Sequence, residues 1–158
     1  MADGMIWYFA YGSNMDVTRL VDARLKPKRV AIGARIGGRL ADWRLTFDKP
    51  VGARAGAGAG NIVPASGDVV HGTLNAMPQA GLVVLDRYEG VADGHYERRT
   101  VPVVRADTGA VVEAVTYVAL RTREGLRPTR EYLGHLLAGR DLLPPDYVQR
   151  LMATPTLD

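Results

Sequence analysis

Two short stretches hold the residues best suited to chemistry: Tyr11-Gly12-Ser13-Asn14, where a run of aromatics stops at a glycine, and Glu89, followed by Gly90. Cysteine is absent from the 158 residues, which excludes thiolate chemistry, disulfides and cysteine-based zinc sites. The reactive groups left are hydroxyls, carboxylates and three histidines. His71, His95 and His135 fall in an expected strand, loop and helix. They show no i,i+4 pairing and no H-E-x-x-H, so their spacing supplies no metal site. Ser13 lies in Y-G-S-N and not in G-x-S-x-G, so a nucleophile elbow is unsupported and Ser13 reads as a helix N-cap. Glu89 is different. At the end of an expected helix the dipole disfavours a carboxylate by about 0.3–1 kcal/mol, and nearby Tyr88 and Val91 add apolar surroundings. Both effects push a carboxyl pKa upward, as a general base working near neutrality requires. Position alone leaves a second reading open, an exposed glutamate at a frayed helix end.

These residues need elements to hold them. "MIWYFAY" at 5–11 is apolar throughout, as in a strand buried on both faces. "SNMDVTRLVDARL" then reads as a helix, with Ser13 and Asp16 at capping-box spacing and Val17, Leu20 and Val21 as its apolar stripe. Trp43, Leu45 and Phe47 alternate along a strand. "GARAGAGAG" at 52–60 reads as a mobile loop. It lacks the G-K-[ST] ending of a phosphate cradle. "DVVHGTLNAM" is the next strand. A helix follows, begun at Pro78, striped by Leu82, Leu85 and Tyr88, and closed by Gly90. Residues 100–105 and 111–120 read as a hairpin. The last third is helical, with Leu133, Leu136 and Leu137 inward and a short helix begun by proline after it. The class is therefore α+β in a single domain spanning 1–158, with no repeats and no long linker.

Composition narrows the function classes. The net charge of +3 comes from 17 arginines and 3 lysines scattered beside 17 acids, a solvated surface more than a nucleic-acid face. No apolar run approaches the ~20 residues of a membrane span, and the N-terminus lacks the basic region and cleavage site of a signal peptide. A cytoplasmic protein with no membrane and no nucleic-acid partner is expected.

The ordered set "YFAYGSN", "NIVPASGDVVHG", "LDRYEGVADGHYERRTVPV" and "VTYVAL" resembles the γ-glutamylcyclotransferase family from about residue 6 to residue 152. The resemblance implies a small mixed β-barrel flanked by helices, commonly paired into homodimers, that needs no metal and no organic cofactor. It also implies cyclisation of a γ-glutamyl group to 5-oxoproline with release of the attached amine or amino acid. Glu89 would be the catalytic base, Ala10, Tyr11, Gly12, Ser13 and Asn14 the substrate cradle, and Tyr117 a further substrate contact. Two features depart from the family pattern: His71 stands where an aromatic is expected, and "GARAGAGAG" replaces a more varied loop. Both bear on the leaving-group side. A non-catalytic binding module for glutamyl-like molecules on the same scaffold is the alternative reading.

Overall fold

A computed structural model describes residue 1 and residues 3–158. Five strands close into a barrel: β1 (Met5–Ala10), β2 (Arg35–Pro50), β3 (Gly58–Pro78), β4 (Tyr96–Arg105) and β5 (Val111–Ala119), in the order β1-β3-β2-β4-β5. Neighbouring strands are antiparallel except at the closure, where β1 runs parallel to β5 through Trp7↔Ala114 and Tyr8↔Val115. Helices α1 (Gln79–Tyr88), α2 (Arg130–Leu137) and α3 (Pro145–Met152) pack outside. No helix among the described residues is long and apolar enough to cross a membrane.

The unbroken apolar run of β1 follows from its place between two cores. Trp7, Phe9 and Tyr11 join Leu40, Ile62, Val70, Leu74, Val101 and Val103, a cluster drawn from the strands. Tyr8 and Ala10, on the opposite face, join Leu20, Leu25, Leu82, Leu85, Leu133 and Leu136 beneath the helices. Phe9 is fully buried, and such a side chain contributes roughly 1.5–3 kcal/mol.

The segment after β1 is helical, but not as one α-helix. Ser13–Met15 forms a single 3₁₀ turn, and Thr18–Leu25 is a π-helix, continued by a 3₁₀ turn at Lys26–Lys28. Ser13 makes no side-chain cap. Asp16 does instead, its Oδ1 accepting from the Thr18 amide at 3.0 Å. Leu20 and Leu25 carry the buried stripe, while Val17 is exposed. Only part of the Gly/Ala segment is a loop. Residues 52–56 turn, Ala57 bridges to Arg127, and Gly58, Ala59 and Gly60 are the first residues of β3, with Gly58 and Ala59 paired to Pro50 and Lys49. The glycines there are a packing demand: a Cβ on Gly58 would collide with the Phe47 carbonyl. Helix α1 has Pro78 before it and Gly90, at φ +63°, after it, though Tyr88 points outward, half exposed.

Candidate active site

At one end of the barrel, residues far apart in sequence meet. Tyr8, Tyr11, Gly12, Ser13, Asn14, Gly60, Glu89, Tyr96, Tyr117 and Tyr132 line one narrow cavity. The base expected at Glu89 and the cradle expected at Tyr11–Asn14 are therefore brought together. Tyr117 is there too, while Ala10 is buried beneath without lining the cavity.

Each wall has an identifiable support. Strand β1 delivers Tyr11, whose hydroxyl donates to the Tyr117 carbonyl at 2.6 Å and so fixes β1 to β5. Gly12 follows, and a Cβ on it would stand 3.1 Å from the Tyr132 hydroxyl oxygen. Gly60 meets the same oxygen from the other side: its amide donates to Tyr132 at 2.8 Å, and its carbonyl accepts from the Tyr96 hydroxyl at 2.8 Å. Both glycines therefore serve close approach around Tyr132. The 3₁₀ turn closes with Met15 N–H donating to Gly12 O at 3.0 Å. Such a turn leaves the first amides, those of Ser13 and Asn14, without a partner inside it.

Glu89 caps the C-terminus of α1, its amide bonded to the Leu85 carbonyl at 2.8 Å, and its side chain is 17% exposed. Burial raises its pKa, opposed by the positive charges of Arg24, Arg19 and Lys49. The apolar neighbour proposed for this effect, Tyr88, instead lies under the Arg24 guanidinium, 4.7 Å from its ring centre. Arg24 Nη1 stands 3.8 Å from Glu89 Oε1, beyond hydrogen-bond reach, and donates to Asn14 Oδ1 at 2.8 Å. Glu89 thus feels a cation without surrendering a lone pair to it.

The π-helix supplies that cation. Its i→i+5 hydrogen bonds bring residues five apart to one side, whereas in an α-helix they would point about 140° apart. Arg19 and Arg24 accordingly both act on Glu89. Arg19 is held by a relay from α2: its Nη1 lies 3.4 Å from His135 Nε2, and His135 Nδ1 lies 2.8 Å from Asp16 Oδ2. Arginine only donates, so Nε2 is the accepting nitrogen and Nδ1–H donates to Asp16.

Tyr117 is placed differently from a free substrate contact. Its hydroxyl donates to Asp86 Oδ1 at 2.8 Å, and Arg98 grips the same carboxylate through Nε at 2.8 Å and Nη2 at 2.6 Å. Burial works against ionisation of Asp86, yet these bonds outweigh it and hold its pKa below the usual range. The Tyr117 ring is a wall of the cavity with its hydroxyl directed away. His71 is not in this cavity at all. It stands in a separate hollow of about 500 Å³ with Arg44, Phe47 and Arg150, edge-on to Tyr147 at 4.9 Å.

Sequence reasoning overlooked Tyr8, Gly60, Tyr96, Tyr132, Arg19 and Arg24. The only signal for Gly60 was its place in an alternating Gly/Ala run, and for Tyr96 the Gly94-x-Tyr96 pattern after Glu89.

The profile of the AIG2-like family matches residues 69–151, just over half of the chain. The chain belongs to the AIG2-like family. That stretch includes Glu89, Tyr96, Tyr117 and Tyr132, while the Gly12 turn precedes it. Among solved structures, this AIG2-like chain is similar to one titled "Gamma-glutamyl cyclotransferase", at 27% identity and a TM-score of 0.85, over 98% of this chain and 90% of that one. It is equally similar to an uncharacterized human protein, at 27% identity and a TM-score of 0.85, over 99% and 91%. A yeast γ-glutamyl cyclotransferase described as specific to glutathione shares the fold at 14% identity and a TM-score of 0.62, over 95% of each chain. No curated protein matches the AIG2-like chain.

Proposed function

We propose that the protein is a cyclotransferase that converts a γ-glutamyl amino acid or γ-glutamyl amine into 5-oxoproline and the free amine. One observation carries this reading: a partly buried carboxylate with a raised pKa, Glu89, shares a cavity with the Gly12-Ser13-Asn14 turn. The substrate's α-ammonium cannot attack until it loses a proton. Glu89 takes that proton, the freed amine adds to the γ-carbonyl of the same molecule, and a five-membered ring forms. Glu89 then returns the proton to the leaving nitrogen as its C–N bond breaks. It takes the second proton that the ring nitrogen must shed to become a lactam N–H, and passes it to the released amine, which departs as an ammonium. Holding the folded conformer in place contributes up to ~7–11 kcal/mol in well-oriented intramolecular reactions. The Asn14 amide of the turn is suited to the substrate's α-carboxylate or to the oxyanion, while the Ser13 amide faces the Tyr132 hydroxyl. The cavity measures about 40 Å³, room for roughly three waters, a size suited to the reacting end of a substrate.

A pure binding module would gain nothing from a base kept free of hydrogen bonds. The test is a panel of γ-glutamyl amino acids and amines, with 5-oxoproline as the readout. Turnover of at least one is expected; no turnover of any would return the protein to the binding reading. The pairing of chains that the resemblance implies belongs to the same proposal, and light scattering giving a clean monomer would overturn it.

A further inference from the structure

We propose that Tyr8 is a further catalytic residue, its O–H donating a hydrogen bond to the oxygen that becomes negative when the substrate's amine closes on the γ-carbonyl. The inference rests on the cyclotransferase reading and begins with the direction of three hydrogen bonds. Arg24 has donors and no acceptor, so the Asn14 side-chain atom 2.8 Å from its Nη1 must be the carbonyl Oδ1. That fixes the amide: Nδ2 faces the Tyr8 hydroxyl at 3.0 Å and donates to it. Tyr8 is therefore the acceptor in this pair, and its own proton must go elsewhere. Among the described residues Tyr8 donates to no acceptor, although it is only 4% exposed and Asn14 equally so; the Glu89 carboxylate shares the cavity without a hydrogen bond to it.

The other hydroxyls of the cavity sharpen the point. Tyr11 gives its proton to the Tyr117 carbonyl, Tyr96 to the Gly60 carbonyl, and Tyr117 to Asp86. Tyr132 accepts from the Gly60 amide and also keeps a free proton, but its oxygen is wedged between Gly12 and Gly60. Of these hydroxyls Tyr8 alone accepts from a relay that starts on a cation, Arg24 to Asn14 to Tyr8, and hydrogen bonds in such a chain polarise one another. The same Arg24 stands 3.8 Å from Glu89, so one side chain sets both the base and the donor. The Tyr8 ring is fixed edge-on to Tyr117 at 5.9 Å.

Burial first, then the nearby Glu89 charge, push the Tyr8 hydroxyl well above its ordinary pKa, against the opposing pull of Asn14 and Arg24. Tyr8 consequently keeps its proton throughout. As the amine nitrogen bonds to the γ-carbon, the carbonyl π electrons move to oxygen and are stabilised by the Tyr8 O–H. They return when the bond to the leaving amine breaks, while Glu89 carries the ring nitrogen's two protons in turn to the leaving nitrogen. Asn14 and Arg24 are positioning residues.

The test compares two probes on wild type and Tyr8→Phe: L-glutamine, a trigonal γ-amide, and a γ-phosphonamidate analogue with a tetrahedral anionic centre. For Tyr8→Phe, kcat on γ-glutamyl substrates should fall about 10²–10³-fold, as when one oxyanion donor is removed. Phosphonamidate affinity should fall with it while L-glutamine affinity stays near wild type; the melting temperature should drop modestly, because the buried Asn14 Nδ2 loses its acceptor. Asn14→Asp offers an acceptor to the Tyr8 proton and should reproduce the loss, with little added by combining the two changes. Unchanged phosphonamidate affinity in Tyr8→Phe, or no binding by wild type, sinks the proposal. So does a displaced acid limb of the pH profile as the sole effect, since Tyr8 would then be serving Glu89. If the phosphonamidate result holds but wild type turns over no γ-glutamyl compound, the donor stands and the cyclotransferase reading fails.

Discussion

Glu89 is pulled two ways, and the outcome sets the pH behaviour of the site. Burial raises its pKa, and Arg24, Arg19 and Lys49 hold it back, leaving a net upward shift. A carboxyl whose pKa is higher in the folded chain binds its proton more tightly when folded. Its contribution to stability is present below the unfolded carboxyl range and is lost as pH rises through the folded value. Two results should follow for Glu89→Gln, which cannot ionise. Turnover should fall about 10²–10⁴-fold, the usual worth of a general base. Thermal unfolding at pH 7–8 should show the variant more stable than wild type by about 0.5–2 kcal/mol, a stability–activity trade-off, with the difference vanishing in acid. For wild type, the acid limb of kcat/KM should lie above the ordinary glutamate range. A limb at or below that range would mean that the cations, not burial, prevail. A different sign is expected one turn earlier. Asp86, held low by Arg98 and Tyr117, stabilises the fold above the unfolded carboxyl range, and that contribution disappears as pH falls through its depressed value.

At the scale of elements, legibility followed how local the cause was. Helix α1 could be read to its ends because Pro78 and Gly90 act through their own backbone angles. The β4–β5 hairpin and the leucines of α2 were equally plain. The π-helix was not, since its apolar spacing passes for an α-helix and nothing local announces the wider turn. That error hid Arg19 and Arg24, which an α-helix would have sent to different faces. The start of β3 was misread for the opposite reason. Gly58 and Gly60 look like low complexity, yet each is forced by a neighbour distant in sequence, the Phe47 carbonyl and the Tyr132 hydroxyl. A direct comparison checks this. Gly58→Ala should cost about 1–3 kcal/mol, the range for overpacking, read as a shift of the urea midpoint at constant slope. Ala55→Ser, in the exposed turn of the same segment, should stay within about ±0.5 kcal/mol. Equal effects would restore the mobile-loop reading.

For the whole molecule, barrel closure and site assembly are one event. The parallel contact of β1 with β5 is short, and side chains reinforce it: Thr116 Oγ1 donates to the Phe9 carbonyl at 2.9 Å, and Tyr11 to the Tyr117 carbonyl. Asn61, 1% exposed, ties the strands beside the cavity. Its Oδ1 accepts from the Ala119 amide at 2.9 Å, and its Nδ2 donates to Asp48 Oδ1 at 3.0 Å. Three strands, β2, β3 and β5, meet at this one side chain, next to Gly60 and therefore next to both tyrosines that Gly60 binds. Asn61→Leu, close in volume but unable to accept, leaves the half-buried Ala119 amide unpaired at about 1–3 kcal/mol. If closure and site are coupled, the variant should lose stability by that amount and also lose kcat, while unfolding remains a single transition by fluorescence and circular dichroism. Leu at this position that keeps full kcat with lowered stability would separate the two, and the barrel would then be a scaffold indifferent to the site it carries.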